Sequence, residues 1–283
     1  MRLPFALAKR FVAGREFVEA VPKVQHLNDK NIKVTLDLLG ENVSDREQAS
    51  DTTRHYIELL DGIAEMGLTS SISIKLTMMG LDIDESFCRD NLFALLEKAR
   101  EHNQFVRIDM EGSAYTQLTV DMYKQAQQEF GKHVGIVIQA YLHRTKDDIN
   151  DIASLGGDVR ICKGAYNEPE SRAIQKMPAI RENYKDVTKV LLDKTPYPRI
   201  ATHDDQLIEW VKTYAADKSI PKDRFEFQML YGLRQGTCEE LAAQGYNVRV
   251  YVPYGTMWFP YFSRRLQERK ENIWFVLSTM FKK

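Results

Sequence analysis

From about residue 31 onward, the chain alternates between short runs with an apolar side chain at every second position and longer stretches with apolar side chains three or four positions apart. The first pattern is typical of β-strands and the second of amphipathic α-helices. The short runs predict strands over residues 32–38, 71–76, 105–110, 134–140, 158–162, 199–202, 225–230 and 248–252.

The longer stretches predict helices over residues 45–65, 87–103, 115–130, 146–154, 168–192, 206–216 and 237–244, and a last helix after the eighth strand. Eight strand–helix units in strict alternation predict an α/β fold, a (βα)8 TIM-like barrel. A doubly wound open sheet is the structural alternative. Residues 1–30 predict an N-terminal helical extension and residues 31–283 the barrel, with no linker that would divide the chain into separate domains.

The composition indicates a globular protein with no general attraction for nucleic acid, because the formal net charge is −1 and 43% of the residues are hydrophobic. Cys88, Cys162 and Cys238 form no CxxC pair, and the histidines lack metal-ligand spacing. We therefore expect no disulfide framework and no metal site, and a cytoplasmic location. No apolar run approaches the roughly 18 residues of a membrane-spanning helix, and the N-terminus does not resemble a secretory signal.

Polar side chains stand at the carboxyl end of every predicted strand, which is where barrels of this kind carry their chemistry. In chain order these residues are Asp37, Glu41, Lys75, Asp109, Glu111, Gln139, Arg160, Lys163, His203, Asp204, Gln228, Tyr231 and Tyr251. A single polar strand end, or one structural ion pair, would mean little. Because charges in a barrel mouth are costly to desolvate unless they are paired, so many of them together indicate a bound ligand.

The stretch from Asn247 to Arg265 supplies the strongest local signal. A strand is followed by an aromatic cluster and then by Arg264 and Arg265, and a helix there would place Tyr261 on the same face as Arg265. Guanidinium groups bind a carboxylate with fixed orientation, and an aromatic wall beside them suits a small amino acid. A solvated helix with surface ion pairs is the alternative.

Motif searches narrow the chemistry further. The chain has no G-x-G-x-x-G, no G-x-x-x-x-G-K-[ST], no G-x-S-x-G and no H-E-x-x-H. A Rossmann dinucleotide site, nucleophilic hydrolysis and zinc hydrolysis are therefore poorly supported. Periodicity and spacing alone predict a barrel enzyme for a small anionic substrate.

The last strand and helix, VRVYVPYG followed by PYFSRRLQER, resemble the C-terminal signature of FAD-dependent proline dehydrogenases (proline oxidases) of the monofunctional bacterial type. The resemblance extends over roughly residues 8–275. It includes the segments VTLDLLGE (34–41), SIKLT (73–77), RIDMEG (107–112), IQAYL (138–142), VRICKGAY (159–166), ATHD (201–204) and FEFQMLYG (225–232). All of them occur in order at predicted strand ends.

The resemblance implies a distorted (βα)8 barrel that binds FAD at its rim, which would also explain the missing Rossmann motif. It implies oxidation of L-proline to Δ1-pyrroline-5-carboxylate, with electrons passed to a quinone. It further implies peripheral contact with the inner face of a membrane and no nucleic-acid partner.

The resemblance also implies residue roles. Lys75, Arg264 and Arg265 would hold the proline carboxylate, and Glu41 would pair with Arg264 across the closed mouth. The ring would be walled by Tyr251, Tyr261, Tyr166 and Leu230. Asp109 would stand beside Lys75 as a catalytic residue, and Arg160 would act near flavin N5. The residues expected to contact FAD are Met110, Gln139, Arg160, Lys163, Gly164, Ala165, Thr202 and His203.

One departure concerns the N-terminus. In this family a further helical stretch commonly precedes the segment that AKRFVAG matches, whereas only about seven residues precede it here. Truncation or engineering of the chain would account for this difference.

Two other functions remain as alternatives. One is a different FAD barrel oxidoreductase, similar to methylenetetrahydrofolate reductases that use NAD(P)H, which the paired arginines disfavour. The other is a non-catalytic barrel that binds a metabolite or a protein at its rim.

Overall fold

The computed structural model of the chain describes residues 5–40 and 42–268. Eight parallel strands form a closed ring in chain order, and the eighth pairs with the first. The strands are β1 Lys33–Leu38, β2 Ser70–Ile74, β3 Val106–Ile108, β4 Val134–Gln139, β5 Val159–Cys162, β6 Arg199–Ala201, β7 Glu226–Leu230 and β8 Asn247–Tyr254. The predicted (βα)8 barrel is confirmed, and the open sheet is excluded because the ring closes.

Helix α1 precedes the barrel and each strand is followed by a further helix. The helices are α1 Phe17–Asn28, α2 Arg46–Glu65, α3 Glu85–Glu101, α4 Thr116–Phe130, α5 Thr145–Ser154, α6 Met177–Lys194, α7 Asp205–Asp217, α8 Gln235–Ala243 and α9 Trp258–Glu268. Asp45 caps α2 by accepting from the N–H of Glu47 at 2.8 Å. No helix within residues 5–40 and 42–268 has the length and apolarity needed to cross a bilayer.

The predicted long helix over residues 168–192 is wrong over its first third, residues 168–176. Helix α6 begins at Met177, with a proline in its first turn, which is a favoured start because proline has no N–H to lose there. Before it the chain forms a loop in which Ala173 bridges Leu142, and the N–H of Ile174 donates to the carbonyl oxygen of Tyr141 at 2.7 Å. These backbone pairings to the β4 side replace helical hydrogen bonds.

The N-terminal segment is less helical than predicted. Apart from a 3₁₀ turn at Phe5–Leu7, the described helix there is α1. Residues between them run beside the end of β8. The N–H of Ala13 donates to the carbonyl oxygen of Pro253 at 2.8 Å, and the N–H of Gly255 donates to that of Gly14 at 3.0 Å. This segment therefore fastens the end of the last strand.

Strand β8 is longer than predicted, because Pro253 does not end it. Pro253 lies opposite Asp37 of β1, and pairing continues to Tyr254. Proline lacks only the N–H donor. Its carbonyl oxygen still accepts from Ala13, so the strand remains anchored.

The interior of the barrel is polar, unlike the apolar layers usual in such barrels. Ser73 of β2 and Thr35 of β1 share a hydrogen bond at 3.2 Å. Arg160 of β5 extends across the ring and donates to the Ser73 hydroxyl at 3.4 Å. Apolar side chains on alternate strand positions face the helices instead, as with Ile72 and Ile136, which are fully buried.

A network of five charged side chains lies inside the amino-terminal end of the barrel. Glu226 is fully buried and accepts from Arg199 Nη1 at 3.0 Å and from Arg249 Nε at 2.7 Å. Asp158 accepts from Arg199 Nε at 2.8 Å and also contacts Arg107. Burial alone would raise the pKa of Glu226, but the guanidinium groups of Arg249 and Arg199 outweigh it and hold the pKa well below its usual range.

We expect Glu226→Gln to lower the free energy of unfolding by about 3–5 kcal/mol, since it leaves two buried guanidinium groups short of negative charge. The folded pKa of Glu226 lies below its unfolded value of about 4.3. The stabilisation is therefore present at neutral pH and is lost as the pH falls from about 4.3 toward the folded pKa. Urea unfolding at pH about 7 and about 3 measures both effects, and the difference between variant and wild type should shrink in acid.

Glu209→Gln is the matched control, because Glu209 forms an exposed pair with Lys212 on α7. An exposed pair contributes only about 0–1 kcal/mol. Equal losses in the two variants would show that the buried network does not stabilise the barrel.

Candidate active site

A cavity of about 860 Å³ opens at the carboxyl ends of the strands. Its volume suits a small molecule or a cofactor. Most of the residues expected at the site line it, namely Lys75, Asp109, Met110, Arg160, Lys163, Gly164, Ala165, Tyr166, Thr202, His203, Leu230, Tyr251, Tyr261, Arg264 and Arg265. Glu41, with its expected pairing to Arg264, lies outside the described residues, and Gln139 lies behind the cavity wall.

Four charged side chains, which we call the ionic cluster, form the floor of the cavity: Asp37, Lys75, Asp109 and Arg160. Lys75 Nζ donates to Asp37 Oδ1 at 2.8 Å and lies 3.9 Å from Asp109 Oδ2. Arg160 Nη2 contacts Asp109 Oδ1. Two carboxylates thus balance two cations in a buried place, which is the condition under which buried charges are tolerated.

Tyr251 completes this floor from β8. Its hydroxyl donates to Asp109 Oδ2 at 2.7 Å, and the Arg160 guanidinium carbon lies 5.3 Å from its ring centroid. Burial raises the pKa of Tyr251 well above its usual value. The phenol therefore stays protonated and acts as a donor to Asp109.

Lys75 is held in its charged form. Burial would lower its pKa, but the carboxylates of Asp37 and Asp109 outweigh burial and raise the pKa above its ordinary value. Burial raises the pKa of Asp37, an effect that the Lys75 ammonium opposes. An ammonium held in this way can attract a carboxylate and cannot serve as a general base.

Helix α9 covers one side of the cavity with the predicted arginine face. Arg265 is only 7% exposed, and its guanidinium carbon lies 5.1 Å from the ring centroid of Tyr261, four residues earlier. The buried position of Arg265 excludes the alternative of a fully solvated helix. Arg264 is half-buried at the same wall.

The other side of the cavity carries a second set of cations. Lys163 contacts Asp204, and Arg181 Nε donates to the same carboxylate at 2.7 Å. Burial would raise the pKa of Asp204, but hydrogen bonds from Lys163 and Arg181 keep it below its usual value. Arg234 Nη1 donates to the carbonyl oxygen of His203 at 3.0 Å. Cations in such a row suit the phosphate oxygens of a nucleotide.

His203 has a defined partner. Its Nε2 accepts from the N–H of Leu230 at 2.9 Å. Because Nε2 is an acceptor in this contact, it carries no proton there. The imidazole therefore joins the end of β6 to the end of β7.

Two features fit a flat cofactor. Gln139 Nε2 donates to the carbonyl oxygens of Met110 at 3.1 Å and Glu111 at 2.9 Å, while its buried Oε1 has no partner among the described residues. Such an atom can accept from a bound donor. Gly164 has φ +120, and a side chain there would come within 2.3 Å of the Tyr141 ring.

Sequence analysis missed several cavity residues. Asp37 and Gln228 were noted at strand ends without a role, and only the structure joins them to Lys75 and Arg160. Arg181 lies on α6, and Arg234 directly precedes α8. No sequence signal marks these two arginines, because neither stands at a strand end.

Comparison with known proteins agrees with this architecture. The family model for proline dehydrogenase matches residues 20–277. Proline dehydrogenase 2 of Bacillus subtilis is 42% identical over 276 residues, which cover 98% of this chain and 91% of that protein. The proline dehydrogenase of Deinococcus radiodurans is 38% identical over 280 residues, which cover 98% of this chain and 90% of that protein.

A solved structure supports the fold. Proline utilization A (PutA) from Bdellovibrio bacteriovorus, inactivated by N-propargylglycine, superposes with a TM-score of 0.88 at 26% sequence identity. The match covers 93% of this chain and 33% of that one. The chain thus has the extent of the single-activity relatives and corresponds to about a third of the longer PutA chain.

We expect Gly164→Ala to lower the free energy of unfolding by about 1–3 kcal/mol more than Gly156→Ala. Both glycines have positive φ, but +67 at Gly156 lies in the left-handed region that alanine can occupy, whereas +120 at Gly164 lies outside it and adds to the expected difference. Only at Gly164 would the added methyl group meet another side chain, since nothing lies within 4 Å at Gly156. Chemical unfolding of both variants measures the difference. Equal losses would show that the Tyr141 ring yields without cost.

Proposed function

The chain belongs to the family of monofunctional proline dehydrogenases, enzymes that oxidise proline in proline catabolism, and we propose that it converts L-proline to Δ1-pyrroline-5-carboxylate with FAD as cofactor. One observation carries the proposal: a single cavity brings together an ammonium and two guanidinium groups with tyrosine rings, Lys75, Arg264, Arg265, Tyr251 and Tyr261. This combination suits an amino acid with an apolar ring.

Substrate binding follows from the charges. In this proposal Lys75, Arg264 and Arg265 hold the carboxylate through charge-assisted hydrogen bonds. The proline ring lies against Tyr251 and Tyr261, with Leu230 and Tyr166 beside them. Held at three points and walled by rings, the substrate has one orientation, which converts binding into a near-attack geometry.

The protein contributes orientation and electrostatics. Asp109 anchors both the Tyr251 hydroxyl and the Arg160 guanidinium, and thereby fixes the substrate wall and a positive charge at the same edge of the cavity. The positive charge of Arg160 would favour a bound flavin ring that becomes electron-rich on reduction. Because Lys75 is held in its protonated form, it cannot take a proton from the substrate amine. The amine must therefore bind in its neutral form. Turnover should therefore rise with pH between about 7 and 9.

FAD, when bound, supplies the acceptor for the hydride that leaves C5 of proline. The residues proposed to hold it are Met110, Gln139, Arg160, Lys163, Gly164, Ala165, Thr202 and His203. Gly164 lines the cavity and carries no side chain, so its backbone leaves room for a flat ring. The cations Lys163, Arg181 and Arg234 suit its diphosphate.

A quinone is the proposed acceptor of the electrons, at the inner face of a membrane that the protein contacts peripherally. Two large apolar side chains support this proposal because they are exposed. Met257, which lines the cavity, is 60% exposed, and Phe259 on α9 is 51% exposed. The family assignment disfavours a reductase that uses NAD(P)H and a barrel without catalytic activity.

The first test is spectroscopic. The purified protein should show flavin absorbance that L-proline bleaches under anaerobic conditions and NADH does not. Colourless protein that remains inert after reconstitution with FAD would contradict the flavoenzyme proposal.

The second test removes one guanidinium. Arg265→Met should lower kcat/KM for proline by about tenfold to a hundredfold, because a hydrogen bond to a charged group contributes about 1.5–3 kcal/mol. Flavin content should stay near that of the wild type. Arg54→Met is the control, since Arg54 is an exposed surface residue paired with Asp51. Unchanged proline kinetics in the Arg265 variant would remove this residue from the carboxylate site.

A further inference from the structure

Asp37 lies beneath the substrate cavity at the end of β1. It is 1% exposed and stands opposite Ser73 of β2 and Pro253 of β8 in the register of the barrel. Its Oδ1 accepts from Lys75 Nζ at 2.8 Å. Strand pairing therefore fixes this carboxylate, so its position does not depend on a flexible loop.

Asp109 is an ion-pair neighbour of Lys75 but not its hydrogen-bond partner in this arrangement. Its Oδ2 lies 3.9 Å from Nζ, beyond hydrogen-bond distance. Both of its oxygens are already engaged, one by Arg160 and the other by the Tyr251 hydroxyl at 2.7 Å. Asp37 is consequently the hydrogen-bonded counter-ion of Lys75.

We propose that Asp37 is a positioning residue for the substrate: it holds the Lys75 ammonium charged and aimed into the cavity, where the ammonium meets the proline carboxylate. The inference rests on the proposed function, which assigns Lys75 to that carboxylate. A lysine side chain has several rotatable bonds, and fixing it before the substrate arrives removes an entropic cost from binding. An ammonium with one proton on Asp37 keeps two donors for a ligand.

Several groups besides Asp37 act on Lys75. The carboxylate of Asp109 and the hydroxyl of Tyr56 act on it directly. The Arg160 guanidinium and the Tyr251 hydroxyl act through Asp109, which both of them contact. Removing the charge of Asp37 leaves one carboxylate, which Arg160 already neutralises. Burial would then favour the uncharged amine of Lys75 at alkaline pH.

The experiment compares wild type with Asp37→Asn in the flavin-loaded enzyme. The probe is tetrahydrofuran-2-carboxylate, a proline analogue with a ring oxygen in place of the amine, so the ligand does not titrate between pH about 6 and 10. Its Kd is read from the change in flavin absorbance. The wild-type Kd should be flat over this range. In Asp37→Asn it should rise at least about tenfold toward the alkaline end, because the uncharged Lys75 no longer attracts the carboxylate.

The pH profile separates positioning from a merely structural role. Asparagine has nearly the shape of aspartate and can still accept from Lys75, so it removes the charge and keeps the contact. A structural defect would weaken the probe equally at every pH. Parallel pH profiles for wild type and Asp37→Asn, with or without a constant offset, would overturn the proposal.

Lys75→Met tests the premise separately. It should bind the probe weakly at every pH, with or without Asp37→Asn. Wild-type affinity in Lys75→Met would contradict the assigned role of Lys75 and thus the proposed function, whatever Asp37 does. If Asp37→Asn gives no folded protein, side-chain NMR of Lys75 in the wild type decides. An ammonium that titrates below its ordinary pKa of about 10.4 would overturn the inference.

Discussion

The site depends on the pairing of β8 with β1. This pairing places Thr35 opposite Tyr251 and Asp37 opposite Pro253, although these residues come from the two ends of the barrel sequence. Without it, Tyr251 could not reach Asp109 on the far side of Lys75. Because side chains alternate between faces, a slip of one residue in this pairing would turn Tyr251 out of the barrel. Closure of the ring therefore brings Tyr251 to the ionic cluster, whose four charged members come from the ends of β1, β2, β3 and β5.

The barrel interior contains two charged assemblies with different functions. At the amino-terminal end, Glu226 is fully buried and accepts hydrogen bonds from two arginines, Arg199 and Arg249. At the carboxyl end, the ionic cluster is internally balanced, yet it borders the cavity. Gln228 joins the two, since its Nε2 donates to Glu226 at 2.5 Å and its Oε1 accepts from Arg160 at 3.3 Å. The orientation of Arg160 at the site is thus tied to the network that stabilises the opposite end.

The sequence was sufficient to predict the barrel and most of the strand-end residues that line its mouth. Alternation along each strand identifies Lys75, Asp109 and Arg160 as rim residues, because strand ends in such a fold converge. Alternation does not determine which of these side chains pair with one another. That Lys75 donates to Asp37 and lies farther from Asp109 depends on the stagger of three strands.

The helix predicted from residue 168 begins only at Met177, again because of contacts between distant parts of the chain. Residues 168–176 keep a helical pattern, but tertiary contacts outweigh local preference. The side chain of Glu168 accepts from the N–H of Ser113 at 2.6 Å, and this contact draws the loop toward the end of β3. Arg181 then reaches the cavity because α6 begins late, close to the mouth.

The positions of Arg264 and Arg265 on α9 depend in turn on the segment before α1. Helix α9 rests on this segment through aromatic contacts, with ring centroids 6.3 Å apart for Phe11 and Phe262 and 5.5 Å apart for Phe5 and Trp258. The same segment holds the end of β8 through Ala13. Since Arg265 lies one turn beyond Tyr261 on α9, any shift of that helix moves its guanidinium relative to Lys75, which the barrel fixes. The proposed carboxylate site therefore combines one cation, Lys75, that the barrel fixes with two cations whose positions depend on packing outside the barrel.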